Sequence, residues 1–181
     1  MTSATARLLH RLSRPRPDRR REGSSAVEFA MLALPFFFMM MCIIEIAFVF
    51  VLDSVLENAT IESGRLLRTG QADTSDFSDT RFRDELCSRM SIFEADCDDR
   101  ITIDVRVIPQ FSSPNLPDPM SGGTFSAGGL GYDNGSPGSL MLVRAWYRHR
   151  LFTPFLEQGL SRLGDGYAYL SATTAFKNEP Y

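Results

Sequence analysis

The strongest constraint on this chain is an apolar run too long for an ordinary core element. Sixteen residues from Phe29 to Ile44 carry no charge, and after Glu45 the run resumes from Ile46 to Leu52. As a helix, Phe29–Leu52 would be about 35 Å long, enough to cross a bilayer core of about 30 Å. It is longer than the apolar core of a signal peptide and has no small-x-small cleavage pattern at its far end. The expectation is a single membrane-spanning helix. Within it, Pro35 removes one backbone hydrogen bond, to Met31, so a kink or a loosened turn is expected there. Glu28 and Glu45 are more demanding. A carboxylate at the bilayer centre costs about 2.5–3.5 kcal/mol even on the lenient scale, so each should lie near an interface or meet a partner.

Charge on the two sides of this run is uneven. Residues 1–22 hold seven arginines against Asp18 and Glu22, a net of +5, which leaves −8 for residues 23–181 within a total of −3. An arginine block beside an apolar helix marks the cytoplasmic side. It lacks the interleaved aromatics of a nucleic-acid surface, so no nucleic-acid partner is expected. With two prolines and no sustained periodicity, residues 1–22 read as a flexible leader outside the fold.

Past the run, Asp53–Gly70 continues the helix, with Val55, Leu56, Ala59, Ser63, Leu66 and Leu67 forming a packing stripe and Gly70 a stop. Residues 79–90 read as a short helix, and Glu94, Asp96, Asp98 and Asp99 as a solvated acidic turn whose spacing is not that of a calcium loop. Ile101, Ile103, Val105 and Val107 alternate with polar residues, the pattern of a half-buried strand. More than half of residues 109–138 are Gly, Pro or Ser, which predicts a long exposed loop. Strands follow at Leu140–Arg148 and Tyr167–Phe176, with a short helix at Pro154–Leu163 between them. The fold class is therefore α+β: a long N-terminal helix, transmembrane in its first half, followed by a small antiparallel sheet.

Of three cysteines, Cys42 lies in the apolar run and reads as a small hydrophobe. Cys87 and Cys97 lie beyond it, and in an oxidising periplasm they can form a disulfide that stabilises the domain by about 2–3 kcal/mol. Two cysteines with His149 as the nearest histidine do not make a zinc set, so no metal or other cofactor is expected. With the leader removed His149 is the only histidine, and no nucleophile triad or phosphate-cradling loop can be assembled. The expectation is a protein that is not an enzyme and has no small-molecule substrate.

The decisive motif is Arg19-Arg20-Arg21-Glu22-Gly23-Ser24-Ser25-Ala26-Val27-Glu28-Phe29. Basic residues lead to a glycine, with a glutamate five residues later and the apolar run behind it. This resembles a type IV prepilin processing site, which implies a cut by a membrane peptidase between Gly23 and Ser24 and assigns the family's glutamate to Glu28. Each part has a physical reason. Gly23 lets an extended backbone enter a narrow cleft, the arginines hold the leader in the cytoplasm, and Glu28 can pair with the freed amine of a neighbouring subunit, offsetting the desolvation of both charges.

The resemblance narrows with Gly23–Pro35, Glu45, the stretch from Glu57-Asn58-Ala59 to Gly64-Arg65, and the closing Ala175–Pro180. Together these are similar to the TadE-like pseudopilins of the tight-adherence, or Flp, pilus system. The resemblance implies a pilin-like fold and a minor subunit required for pilus assembly, adherence and biofilm formation. Its implied partners are the prepilin peptidase, other pilin-like subunits and the Tad inner-membrane assembly machinery. The resulting organisation is a cleaved leader (1–23), a transmembrane helix with its periplasmic extension (24–70) and a periplasmic α+β domain (71–181). The rival reading shares this topology: an uncleaved single-pass anchor carrying a periplasmic interaction domain.

Overall fold

The computed structural model describes residues 19–71, 77–112 and 116–180. In chain order it has helix α1 (Arg19–Arg68), helix α2 (Asp79–Ser88), a 3-10 turn (Ser91–Asp96) and the short helix α3 (Cys97–Arg100). Strands β1 (Ile101–Val107) and β2 (Leu140–Arg150), helix α4 (Pro154–Leu160) and strand β3 (Tyr167–Lys177) follow. The chain divides after Met41 into two compact units.

In the first unit α1 runs unbroken through Pro35. From Gly23 to Met41 every side chain is exposed except Ala33, which is half-buried; Leu32 and Leu34 are both 74% exposed. A helix that is apolar on all faces and largely exposed is stable in hydrocarbon, where its backbone is satisfied internally, and not in water. The helix from Gly23 onward is long and apolar enough to cross a membrane. It begins at Arg19, four residues before the expected end of the leader. Arg and Glu are good helix formers and nothing after Pro17 interrupts them, so residues 19–22 continue the helix instead of standing outside the fold. The rest of the expected leader, residues 1–18, lies outside the described residues.

In the second unit the same helix becomes one-sided. Leu52, Leu56, Ala59, Ser63 and Leu67 are buried while Glu57, Glu62 and Arg65 are exposed, the pattern of a single packing face. That face joins Ile103, Val105, Met141, Val143 and Ala145 of the sheet and Phe82, Leu86 and Met90 in one core. Contact is closest at Gly64, where a Cβ would lie 3.0 Å from the Phe176 ring and 3.2 Å from the Thr174 methyl. Helix α1 ends at Arg68, and Gly70 turns the chain with φ 72°.

The sheet is an antiparallel meander, β1-β2-β3. Ile101 pairs with Tyr147 and Val107 with Met141; Leu140 pairs with Lys177 and Arg150 with Tyr167. Near Leu140, the chain after β3 reaches the end of α1, where Glu179 N–H donates to the Arg68 carbonyl at 2.9 Å. The opposite end of β2 leads through Leu151 to contacts with the level of Glu45. Eleven strand residues cover about 36 Å and the 24 helix residues from Glu45 to Arg68 about 35 Å, so sheet and helix match in length.

Two expectations change. The acidic segment 94–99 is helical, divided between the 3-10 turn and α3. The loop 109–138 is largely exposed, yet it is pinned to the sheet instead of slack. Val105 N–H donates to Gly131 O and Asp133 N–H to Val105 O, both at 2.9 Å, so the loop makes a single parallel bridge, Tyr132 to Val105, on the free edge of β1. The reason is Asp104, whose side chain is fully buried on the face away from α1. It accepts from Arg106, from Arg144 Nε at 3.0 Å and from Gly131 N–H at 3.0 Å, while Arg144 also donates to Pro117 O at 3.0 Å. A buried carboxylate requires such a shell, and the loop supplies part of it. Burial acts to raise the Asp104 pKa, but the hydrogen bonds from Arg106, Arg144 and Gly131 outweigh it and hold the carboxyl below its ordinary range.

Candidate processing and pairing sites

Gly23 and Ser24 sit inside α1 and are exposed. The extended backbone expected at Gly23 is therefore not the conformation it adopts. Glycine here is also unexplained by packing: a Cβ built on Gly23 meets nothing within 4 Å, and its φ is ordinary. A glycine inside a helix destabilises it by about 1 kcal/mol relative to alanine. Among the described residues nothing prevents a side chain at 23. Glu28 is exposed one turn further on and accepts a hydrogen bond from Ser24 Oγ at 3.0 Å.

Glu45 is placed differently. It is 8% exposed, and its carboxylate accepts from Phe152 N–H at 2.5 Å and Thr153 N–H at 2.9 Å. Thr153 immediately precedes α4, with Pro154 in the first turn. Both N–H groups belong to residues just before α4, and a buried carboxylate is stabilised by accepting from two such donors. The partner required by the sequence is thus the chain's own β2–α4 corner. Thr153-Pro154 is readable as a helix start; that a carboxylate 108 residues earlier would accept the Thr153 N–H is not.

Beside this corner lies His149, 5% exposed, with its ring 5.3 Å from that of Phe48 and 6.2 Å from that of Phe152. Its Nε2 has no hydrogen-bond partner among the described residues. Burial lowers its pKa and Arg100 lowers it further, against an opposing effect from Glu45. Phe48 also meets Phe93 edge-on at 5.3 Å, so α1, the 3-10 turn and the end of β2 converge here. Cys87 and Cys97 are joined in a disulfide with a Cα–Cα distance of 5.5 Å, tying α2 to α3; Cys42 is free. Among the described residues, no group of three or more His, Cys, Asp or Glu side chains is arranged to hold a metal ion.

With this geometry in view, the comparison with family models bears on α1 alone. Residues 23–65 match the TadE-like protein family. The matched stretch begins at Gly23 and takes in Glu28, Glu45 and the first four residues of the α1 packing stripe. It agrees with the resemblance read from Gly23–Pro35, Glu45 and Glu57–Arg65; the closing residues 175–180 lie outside it. No curated protein and no solved structure matches the chain. The match lies within α1, which is compatible with a single-pass membrane anchor.

Proposed function

We propose that the protein is a minor pilin-like subunit of a Tad pilus, made as a precursor and cut between Gly23 and Ser24 by a prepilin peptidase. The observation that carries this reading is Gly23 itself. The fold does not need glycine there, the family match starts there, and the arginine block ends just before it. In this reading the arginines keep the leader in the cytoplasm, α1 crosses the inner membrane, and the sheet domain stands in the periplasm. The protein works through assembly instead of catalysis, and its contribution is to pilus biogenesis, adherence and biofilm formation.

Cleavage would turn the Ser24 amide into an ammonium one helical turn from Glu28. The carboxylate that now accepts from the Ser24 hydroxyl then has a charged partner available, its own or that of a neighbouring subunit. Inside a bilayer either pairing removes most of the penalty on both charges. Pairing between subunits would also set their axial register.

The test is the intact mass and amino-terminal sequence of the protein from its native membrane, with and without the prepilin peptidase. A terminus at Ser24 that requires the peptidase supports the reading. An intact leader in both strains leaves an uncleaved membrane anchor and removes the pseudopilin assignment.

A further inference from the structure

The corner that Glu45 holds is unusually apolar on its outside. None of the α4 residues is buried, and Phe152 and Phe155 are 74% and 66% exposed. Between α4 and α1 lies a groove of about 360 Å³ walled mainly by apolar side chains, among them Ile46, Val49, Phe50, Leu156 and Leu160, with Asp53 also on its lining. Phe50 and Val51 on α1 remain 70% and 52% exposed beside it. A water-facing domain seldom presents a continuous apolar surface of this kind, so something covers it.

The position of the surface along α1 identifies the cover. Residues 29–44 form the uncharged run that needs hydrocarbon, and Glu45 is the first charge after it. Its bonds to Phe152 and Thr153 fix the β2–α4 corner at the residue where the run is interrupted. At 1.5 Å per residue, Phe50 and Val51 lie within about 10 Å of Glu45 along the axis, the depth to which interfacial segments enter a bilayer. Arg150, exposed two residues before Phe152, is available to headgroup phosphates. We propose that α4 and its groove are a membrane-seated face: Phe152 and Phe155 enter the boundary between headgroups and acyl chains, and a phospholipid acyl chain occupies the groove. The bilayer-filling part of α1 then ends near Ile44 instead of Leu52, and Glu45 is kept from lipid by the corner it holds. This inference rests on the membrane-anchor part of the proposed function.

The test uses the full chain in lipid nanodiscs at one copy per disc, with nitroxide-bearing lipids as quenchers placed near the headgroup or deep in the acyl chain. Trp146, 5% exposed and the sole native tryptophan, sets the baseline in the unsubstituted chain. The single variants Phe152→Trp and Phe155→Trp should be quenched by the shallow probe to within a factor of about two of the quenching of Phe37→Trp by the deep probe. Phe111→Trp, in the loop after β1, should stay at baseline. If Phe37→Trp is quenched while Phe152→Trp and Phe155→Trp remain at baseline, the membrane seat is overturned and the anchor stands. If Phe37→Trp is also unquenched, the anchor reading fails and the seat fails with it. Shielding of residues 152 and 155 that appears only in discs holding several copies overturns the lipid assignment in favour of a subunit contact.

Discussion

One continuous helix passes through two different kinds of environment. Between Gly23 and Met41 its residues are apolar on nearly every face and exposed; between Leu52 and Leu67 they are apolar on one face and that face is closed. The first stretch is specified by composition, since any long uncharged run will span a bilayer. The second is specified by position, because Leu52, Leu56, Ala59, Ser63 and Leu67 meet particular partners across the sheet. The same substitution should therefore have opposite weight in the two stretches. Leu56→Ala removes a fully buried side chain and should destabilise the domain by about 2–5 kcal/mol, whereas Leu34→Ala should change it by less than about 0.5 kcal/mol. Denaturant unfolding of the full chain in detergent, followed by protease resistance of the sheet domain, measures both. Equal effects would mean that the two stretches do not differ in the way described.

A second way to sharpen the comparison uses the cysteines, one in the apolar run and two beyond it. The Cys87–Cys97 disulfide closes a loop with a sequence separation of 10. Replacing both with serine should lower domain stability by about 2–3 kcal/mol, while Cys42→Ser should leave it within about 0.5 kcal/mol. Unfolding midpoints of the two variants, set against the parent under non-reducing conditions, give the answer.

Glu28 and Glu45 carry the contrast into the two carboxylates. Glu45→Leu leaves the Thr153 N–H buried without its acceptor and should cost about 1–3 kcal/mol of domain stability, seen first as faster hydrogen exchange at residues 152–156. Glu28→Ala should leave domain stability and membrane insertion unchanged and impair pilus assembly. Normal piliation in Glu28→Ala would remove the pairing mechanism proposed for it.

How much of this could be read from the sequence follows the same division. The apolar run, the Leu56–Ala59–Ser63–Leu67 stripe and the alternation in Ile101–Val107 are local patterns, and they place α1 and β1 to within a few residues. The sequence motif around Gly23 and Glu28 is also local, and the stretch containing it matches a family. What was not legible depends on contacts distant in sequence. Asp104 looks like a solvent-side residue of a half-buried strand until the loop around Pro117 and Gly131 is brought over it. Glu45 reads as an expense within a membrane helix until the corner at Thr153 arrives, and a Gly/Pro/Ser-rich loop gives no composition signal that it will pair with a strand edge.

The smallest expected effect concerns pH, and it belongs to the corner at the end of β2. His149 is buried between Phe48 and Phe152 and faces Glu45 on α1 and Arg100 on α3. Burial, with Arg100 adding to it, lowers its folded-state pKa, so the unfolded chain takes up a proton at higher pH than the folded one does. The stability this contributes is fully present above about pH 6.5, the ordinary histidine value, and is lost as pH falls through the folded pKa. Asp104, whose carboxyl is also held low, stays ionised through that range; its contribution declines only below the ordinary carboxylate value of about 4. As pH falls below about 6.5 the domain should therefore soften, and His149→Gln should flatten that slope while leaving the acid limb below about pH 4 in place. Thermal unfolding of parent and variant at stepped pH separates the two groups. An unchanged slope in His149→Gln would show that the histidine is not what couples the corner at Glu45 to pH.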